Sequence, residues 1–328
     1  MPPDRPTITS RLTADPASID AAGALLRQGG LVAFPTETVY GLGADATNGR
    51  AVAGIYAAKG RPSFNPLITH VPDLAAADRF ARFDQVSRRL AEAFWPGPLT
   101  LVLPRVPGAP ISDLATAGLD TVALRVPRHP VALALLRAAG VPVVAPSANR
   151  SGHVSPTTAD HVLADLAGRI DAVVDGGPTE IGVESTIVLV AGDRIRLLRP
   201  GGVDRAALAR VSGLPVDDAA DPQVAPIAPG MLASHYAPTA GVRLNATSVA
   251  PGEALLGFGP AILPGSDGAV AVQNLSPTGD LAEAAANLFG MLRSLDASGA
   301  SAIAVAPVPE TGLGEAIVDR LRRAAAPR

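Results

Sequence analysis

The segment Lys59-Gly60-Arg61 carries two cations that are separated by a single residue. Lys59 is the only lysine among 27 basic residues. An ammonium is a compact point charge and a guanidinium is a planar fork, so a confined phosphate site can require the lysine. We expect an irregular segment that binds a polyphosphate, although a solvated basic loop that kept one lysine by chance fits the same residues. The Walker pattern is absent, so these cations are not part of a P-loop.

A second polar segment follows the apolar run that ends at Phe34 and has the sequence FPTETVYGLGADA. It places hydroxyls and backbone N–H groups at a predicted strand end, where α/β proteins bind ligands. Gly41-x-Gly43-x-x-Ala46 is similar to a dinucleotide fingerprint. That fingerprint needs an acidic residue about 20 positions further on, and KGRPSFNPL stands there instead. We therefore interpret the two glycines as a tight turn.

Two further segments place polar groups beside predicted strands. In VVAPSANRSGHVSPTT, Ser147, Asn149 and Ser155 can bind phosphate or ribose without adding charge, although such residues are also common in ordinary loops. Thr121 and Arg125 lie four residues apart on TVALRV and so share one face of a strand. That pair is typical of a carboxylate clamp, and a structural ion pair of Arg125 remains equally open.

The elements that must position these groups follow from the hydrophobic periodicity. We predict strands at 31–34, 66–71, 99–103, 121–126, 141–145, 172–175, 185–190 and 195–199, and helices at 19–28, 51–58, 84–94, 130–139 and 158–166. The segment 216–228 has no periodicity and indicates a linker. Beyond it we predict strands at 242–244, 254–258, 270–275 and 302–305, a helix at 281–295 that Asp280 caps, and a last helix at 314–325. The order of elements predicts an α/β fold with two domains.

Composition excludes several classes of protein. The 328 residues include no Cys, and the five His form no ligand pattern, which excludes a structural zinc. A net charge of −3 and 3% aromatic residues disfavour general binding of nucleic acid. No run approaches the roughly 18 apolar residues of a membrane helix and the first residues lack an apolar signal core, so we expect a cytoplasmic protein.

Seven motifs together resemble the YrdC-like family. FPTETVYGLG, KGRP, WPGPLT, LRVP, PSAN, GVEST and LRPGG occur in the order typical of that family, over roughly residues 31–203. Beyond the predicted linker, APGMLASHYAP and GLGEAIVDRLRRAA are similar to segments of the two-domain threonylcarbamoyl-AMP synthases. The resemblance implies an open, twisted mixed sheet with a second, smaller α/β domain. It divides the chain into a catalytic domain at 1–212, a linker and active-site lid at 213–238, and a C-terminal domain at 239–328.

The resemblance also implies a reaction and a set of site residues. L-threonine, bicarbonate and ATP would give threonylcarbamoyl-AMP and pyrophosphate, for threonylcarbamoyladenosine modification of tRNA. The implied catalytic residues are Lys59, Arg61, Ser147 and Asn149. The implied nucleotide contacts are Lys59, Arg61, Asn65, Thr121, Ala145, Ser147, Ser155, Arg199 and Tyr236. The implied threonine contacts are Thr38, His70, Arg125 and Ser185.

The same resemblance implies Mg²⁺ that arrives with ATP, with Glu37 and Glu184 as indirect ligands at most and no dedicated metal site. It implies a separate tRNA threonylcarbamoyl transferase as the recipient of the product, with weak or absent direct binding of tRNA. A non-catalytic RNA-binding module and a carbamoyl-transferring domain like that of hydrogenase maturation proteins are the alternatives. For the C-terminal domain, a stabilising appendage and a lid or docking role both remain open.

Overall fold

The computed structural model describes residues 8–61, 65–218 and 236–327. Within these ranges the chain forms two α/β units, each on its own sheet. The strands of the first unit are β1 (Ser10–Thr13), β2 (Val32–Pro35), β3 (Tyr40–Asp45), β4 (Ile68–His70), β5 (Leu99–Pro104), β6 (Thr121–Arg125), β7 (Val143–Val144), β8 (Ala172–Asp175), β9 (Thr186–Ala191), β10 (Arg194–Arg199) and β11 (Val216–Asp218). Its helices are α1 (Pro16–Arg27), α2 (Gly49–Lys59), α3 (Leu74–Ala77), α4 (Gln85–Phe94), α5 (Asp113–Thr116), α6 (Pro130–Ala139), α7 (Ala159–Leu166) and α8 (Arg205–Ser212).

The first sheet has 11 strands in the order β1-β8-β2-β3-β7-β4-β6-β5-β9-β10-β11. Strands β1, β8 and β2 pair in parallel, as do β4 with β6, β5 with β9, and β10 with β11. The remaining neighbours pair antiparallel. The predicted mixed sheet is therefore confirmed.

The second unit contains β12 (Gly241–Arg243), β13 (Glu253–Gly257), β14 (Val272–Asn274), α9 (Leu281–Asp296), β15 (Ala302–Val305) and α10 (Leu313–Ala325). Its sheet has the order β12-β15-β13-β14, and every pair is parallel. The Asp280 carboxylate accepts a hydrogen bond from the N–H of Glu283, so the predicted cap of this helix is confirmed. The prediction of a smaller α/β unit is also confirmed.

Alternation along β2 shows how the large sheet is covered on both faces. Val32 and Phe34 belong to a buried cluster with α1 and α6, whereas Ala33 between them belongs to the cluster that contains α2 and α4. Side chains of a strand alternate between the two faces of its sheet, so each face has its own layer of helices. Burial on both faces explains why the sequence of this strand is a continuous apolar run.

Two sequence predictions about local conformation differ from the structure. Gly41 and Gly43 lie in strand β3 and not in a tight turn, so that interpretation is wrong. A Cβ on Gly43 would stand 2.9 Å from a ring carbon of Phe34, which explains a glycine inside a strand. Lys59 is the last residue of α2 and not part of an irregular segment, and Gly60 ends that helix in the left-handed conformation.

The large sheet also extends beyond residue 212, because Val216–Asp218 form β11 beside β10. Most of the predicted linker and lid, at 219–235, lies outside the described residues. Strand β1 and helix α8 were not predicted. In the part of the chain that the structure describes, no helix is long and apolar enough to cross a membrane.

Candidate active site

A polar pocket lies over one face of the large sheet, beside the second unit. It has about 550 Å³ of empty space, including its open mouth. Its floor includes side chains of β4 and β6, and its walls come from the segments after β2 and β7, from the residues before β9, and from Tyr236. The lining residues are Thr36, Thr38, Val39, Gly41, Arg61, Ile68, His70, Arg125, Ala145, Pro146, Ser147, Glu184, Ser185, Arg199 and Tyr236.

Three guanidinium groups converge on this pocket, from Arg61, Arg125 and Arg199. Arg125 and Arg199 are buried, and burial lowers the pKa of Arg199. Burial likewise lowers the pKa of Arg61 to about 10, which leaves the group charged at neutral pH. Among the described residues Glu184 is the only carboxylate in the lining, and it is already paired with an arginine behind the wall. The pocket therefore carries an excess of positive charge and suits an anionic ligand.

Glu37 holds Arg125 in its orientation. The terminal nitrogen of Arg125 donates to Oε1 of Glu37 at 2.8 Å, and Nε donates to the carbonyl of Gly97 at 3.2 Å. The second oxygen of Glu37 accepts from the backbone N–H of Arg128. Burial alone would raise the pKa of Glu37, but the adjacent Arg125 outweighs it and the pKa is lowered. The pair is thus ionised, and Arg125 presents a fixed fork to the pocket.

His70 is a neutral group at neutral pH. Burial, followed by the charge of Arg125, lowers the pKa of its imidazole to about 3. It lies beside Arg125 because β4 and β6 pair in parallel with these two residues in register. Its Nδ1 is buried and has no hydrogen-bond partner among the described residues. A buried, unsatisfied ring nitrogen in a pocket is available to a polar ligand.

Ser185 and Arg199 form one hydrogen-bonded unit at the wall of the pocket. Arg199 donates from Nε and a terminal nitrogen to the carbonyl of Ser185, at 3.1 and 2.9 Å. The same terminal nitrogen reaches the Ser185 hydroxyl at 3.1 Å, and that hydroxyl also contacts the hydroxyl of Thr100 at 2.8 Å. A movement of either residue would therefore move the other.

Lys59 is buried behind the pocket and does not line it. Its ammonium donates to the carbonyls of Ser147 and Asn149, both at 2.6 Å. Burial and the nearby charge of Arg61 lower its pKa well below the usual range. The carbonyl of Lys59 in turn accepts from the N–H of Ser151. In this structure Lys59 therefore fixes the Ser147–Asn149 segment.

Further buried polar atoms around the pocket have no hydrogen-bond partner within the described ranges. They are Nε of Arg61 and the side-chain oxygens of Asn65 and Asn149. The amide nitrogen of Asn149 is satisfied by the carbonyls of Arg150 and His153. Buried polar groups are paired in nearly all native structures, so these atoms indicate a site that accepts a polar ligand.

The structure brings most of the predicted site residues together. Nine of them line the pocket: Thr38, Arg61, His70, Arg125, Ala145, Ser147, Ser185, Arg199 and Tyr236. Lys59, Asn65, Asn149, Ser155 and Thr121 are not in the lining. The Ser155 hydroxyl donates to Glu184 at 2.6 Å, behind the wall. Thr121 shares a strand face with Arg125 but is paired with Pro104, roughly 13 Å along β6.

Sequence reasoning missed the contribution of the second unit to this site. Arg320 of α10 donates from Nε to Oε2 of Glu184 at 2.8 Å and is fully buried. Its guanidinium carbon lies 5.3 Å from the centre of the Tyr236 ring. Arg320 lies on the buried stripe of its amphipathic helix, with Ala316, Ile317, Leu321 and Ala324. An arginine on an apolar stripe is the signal that could have identified it.

Comparison with known proteins matches the chain to two family models. Residues 24–201 match the family model for Sua5, YciO and YrdC proteins, described as telomere recombination. The chain belongs to this family. Residues 203–326 match a second model of the family, described as the C-terminal domain of threonylcarbamoyl-AMP synthase.

Two relatives and one solved structure of the family extend over nearly the whole chain. A threonylcarbamoyl-AMP synthase of Bacillus subtilis is 45% identical, and the match covers 98% of this chain and 96% of that protein. One from Pyrococcus abyssi is 42% identical over 93% of each. The crystal structure of P. abyssi Sua5 complexed with L-threonine has a TM-score of 0.88 and 38% identity, and it covers 97% of this chain and 98% of that chain.

Proposed function

We propose that this chain is an L-threonylcarbamoyladenylate synthase. It condenses L-threonine, bicarbonate and ATP to threonylcarbamoyl-AMP, pyrophosphate and water. The observation that supports this most directly is the convergence of three guanidinium groups on one pocket whose own carboxylate is already neutralised. The carboxylate of an amino acid and the phosphates of a nucleoside triphosphate both need such a site. The names of the relatives that extend over almost the whole chain agree with the proposal.

The threonine half of the site centres on Arg125. Its guanidinium binds the substrate carboxylate as a fork, and Glu37 keeps that fork in place. His70 is neutral, so it does not repel the amino group, and one of its ring nitrogens can accept a hydrogen bond from it. The hydroxyls of Thr38 and Ser185 complete the contacts. The amine attacks the carbon of bicarbonate with loss of water and gives a carbamate.

The nucleotide half uses Arg61 and Arg199 to neutralise the phosphates, and the Ser147 segment contacts the nucleotide. A carbamate oxygen attacks the α-phosphorus of ATP. A bond forms between that oxygen and phosphorus while the bond to the bridging oxygen of pyrophosphate breaks, and pyrophosphate leaves with the electron pair. Positioning and charge neutralisation account for most catalysis in such transfers, so no covalent intermediate with the protein is required.

Mg²⁺ enters this proposal as a complex with ATP. The described residues contain no cluster of three or more His, Asp or Glu side chains that could hold a metal. Glu37 accepts hydrogen bonds on both oxygens, from Arg125 and from the N–H of Arg128. Glu184 does the same, from Ser155 and Arg320. Both oxygens of each carboxylate already accept hydrogen bonds from the protein, so we propose phosphate oxygens and water as the main ligands of the ion.

The product is a mixed anhydride that water hydrolyses, so a second protein must accept it promptly. We propose a separate tRNA threonylcarbamoyl transferase as that recipient. The net charge of −3 gives the surface little attraction for a phosphate backbone, and direct binding of tRNA is accordingly weak or absent.

The test measures pyrophosphate release and the mass of the nucleotide product, with ATP present and L-threonine and bicarbonate added singly and together. We expect threonylcarbamoyl-AMP only when both co-substrates are present. Arg125→Gln should abolish the threonine-dependent release of pyrophosphate. Arg322→Gln removes an exposed ion pair with Glu310 and should behave like the unmodified chain. Absence of threonine-dependent pyrophosphate from the unmodified chain would contradict the proposed function, and tight, salt-sensitive tRNA binding would then favour an RNA-binding module.

A further inference from the structure

Arg320 extends from the second unit to Glu184, behind the wall of the pocket. It lies on α10, its side chain is 0% exposed, and its three guanidinium nitrogens all donate hydrogen bonds. Nε donates to Oε2 of Glu184 at 2.8 Å, one terminal nitrogen to the carbonyl of Pro200 at 2.9 Å, and the other to the carboxylate of Asp319 at 2.5 Å. The first two acceptors belong to the large-sheet unit.

Both of these acceptors are direct neighbours of pocket residues. Glu184 lines the pocket and precedes Ser185, while Pro200 follows Arg199. Arg199 is itself hydrogen-bonded to Ser185 through the carbonyl and the hydroxyl. One guanidinium from the second unit therefore holds the two chain segments whose side chains form this wall. A displacement of Arg320 would move both segments together.

Arg320 also contacts Tyr236, another residue of the pocket lining. The ring of Tyr236 is stacked on Phe289 of α9, with centroids 5.5 Å apart and planes at 23°. The guanidinium of Arg320 lies 5.3 Å from the centre of the Tyr236 ring. Tyr236 has a φ of 62°, a conformation that non-glycine residues keep only where their surroundings hold it. The second unit thus supports a pocket residue with a strained backbone.

Stability alone does not explain an arginine at this position. Its neighbours on the buried stripe of α10 are apolar: Ala316, Ile317, Leu321 and Ala324. A buried ion pair pays a large desolvation cost, and its replacement by apolar residues is often neutral or stabilising. An apolar residue would therefore suffice for packing. What an apolar residue cannot do is hold the Glu184 carboxylate and the Pro200 carbonyl at one point.

We infer that Arg320 is a positioning residue through which the second unit keeps Ser185, Arg199 and Tyr236 in the arrangement that binds ATP and L-threonine. The inference deepens the proposed function and rests on it. It gives the second unit a part in substrate binding that a stabilising appendage would not have.

The test compares Arg320→Lys and Arg320→Met with Arg205→Gln. Lysine keeps the charge but lacks the fork that reaches both acceptors, and methionine removes the charge at similar length. Arg205 is the matched control, because it bonds Glu315 of the same helix α10 at 2.7 Å across the same interface. Arg205 and its hydrogen-bond partners among the described residues, Glu315, Val216 and Asp218, do not line the pocket. Urea unfolding, kcat, KM for ATP and for L-threonine, and calorimetric Kd for ATP are measured on all four proteins.

We expect Arg320→Lys to fold and to raise both KM values and the Kd for ATP by about tenfold, with kcat changed by less than about threefold. Loss of contacts that are made equally in the ground and transition states raises KM and leaves kcat nearly unchanged. Arg320→Met should show at least the same rise in a less stable protein. Arg205→Gln should lose some stability and keep KM within about twofold.

Folded Arg320→Lys and Arg320→Met with KM and Kd values like those of Arg205→Gln would overturn the inference. If Arg320→Met does not fold, the result for Arg320→Lys decides alone. If the unmodified chain shows no threonine-dependent turnover, the proposed function fails. The calorimetric Kd for ATP then still tests Arg320, because a Kd unchanged in the folded lysine variant overturns its role and a weakened one supports it.

Discussion

Substitution of Gly182 by alanine should separate the two units and thereby weaken the site. Gly182 begins the GVEST motif and has a φ of 75°. A Cβ at this position would stand 2.3 Å from the carbonyl oxygen of Ala285 and 2.5 Å from the Cα of Ala286, both in the backbone of α9. A backbone cannot turn aside like a flexible side chain. The helix would therefore have to move away by about 1 Å to restore ordinary contact distances.

The expected cost has two parts. A left-handed conformation costs a residue with a Cβ about 1–2 kcal/mol, and overpacking against a fixed neighbour adds about 1–3 kcal/mol. Gly177 isolates the first part, because its φ is 82° and no heavy atom of the described residues lies within 4 Å of its Cβ position. We expect Gly177→Ala to destabilise by about 1–2 kcal/mol and Gly182→Ala by about 2–5 kcal/mol.

Urea unfolding followed by two probes measures this difference. Trp95 is the only tryptophan and lies in the large-sheet unit, so its fluorescence reports that unit alone, whereas far-UV circular dichroism reports both. Gly182→Ala should unfold earlier by circular dichroism than by fluorescence, because the second unit has lost its contact. Displacement of α9 also moves Phe289 away from Tyr236, so kcat/KM should fall at least about tenfold.

Equal losses of stability in Gly182→Ala and Gly177→Ala would refute this reasoning. That result would mean that α9 yields to the added methyl group without cost. Unchanged kcat/KM in a Gly182→Ala protein whose two unfolding curves have separated would refute the second step, in which docking of the second unit supports the pocket.

Three further predictions concern single side chains of the site. Lys59→Arg should lower kcat/KM by about 100-fold in the pyrophosphate assay, because a planar guanidinium cannot reproduce the two 2.6 Å contacts of one ammonium with Ser147 and Asn149. Glu37→Gln should raise KM for L-threonine by about tenfold and KM for ATP much less, because it removes the charge that holds Arg125. Burial lowers the pKa of His70 to about 3 in the folded chain, whereas the unfolded chain binds this proton as pH falls below about 6.5. Protonation therefore favours the unfolded state, and the free energy of unfolding decreases. Between pH 7.5 and 5, urea unfolding of His70→Asn should therefore show a loss of stability smaller by about 2 kcal/mol than that of the unmodified chain.

Each of these three has a result that would contradict it. Full activity of Lys59→Arg would mean that the segment it holds does not need the ammonium. Equal rises in both KM values of Glu37→Gln would indicate a general loss of structure and not of the clamp. Parallel stability profiles of His70→Asn and the unmodified chain would mean that the imidazole titrates normally in the folded state.

The local hydrophobic pattern was sufficient to predict those elements whose apolar residues recur with a single period. The last β-strand and helix of the second unit, β15 and α10, appear close to the predicted limits because an apolar run and an amphipathic stripe define them. The local pattern failed to predict β3. Gly41 and Gly43 are glycines there because Ala145 and Phe34 approach them closely. Such a contact between strands leaves no trace in the local sequence.

Nine of the predicted site residues line one pocket, but the sequence did not indicate the shape of that pocket. Polar groups were predicted at the ends of strands, but β4 and β7 pair antiparallel and their ends point in opposite directions. The pocket therefore lies across the face of the sheet, where His70 and Arg125 share one register. Thr121 shares that face, but four residues of strand place it roughly 13 Å from Arg125 along β6, and it does not line the pocket.

The burial of Arg320 bears on why the two units remain together. The apolar cluster of the second unit includes Val183 and Tyr236, so hydrophobic contact already joins the units. An ion pair added at that contact contributes little net stability, but removal of either partner leaves a buried charge that costs several kcal/mol. Sliding or opening of the interface would have the same effect, because Arg320 and Glu184 would each lose their partner. The apolar contact accordingly provides affinity between the units, while the ion pair permits only the one arrangement in which Ser185 and Arg199 form the wall of the pocket.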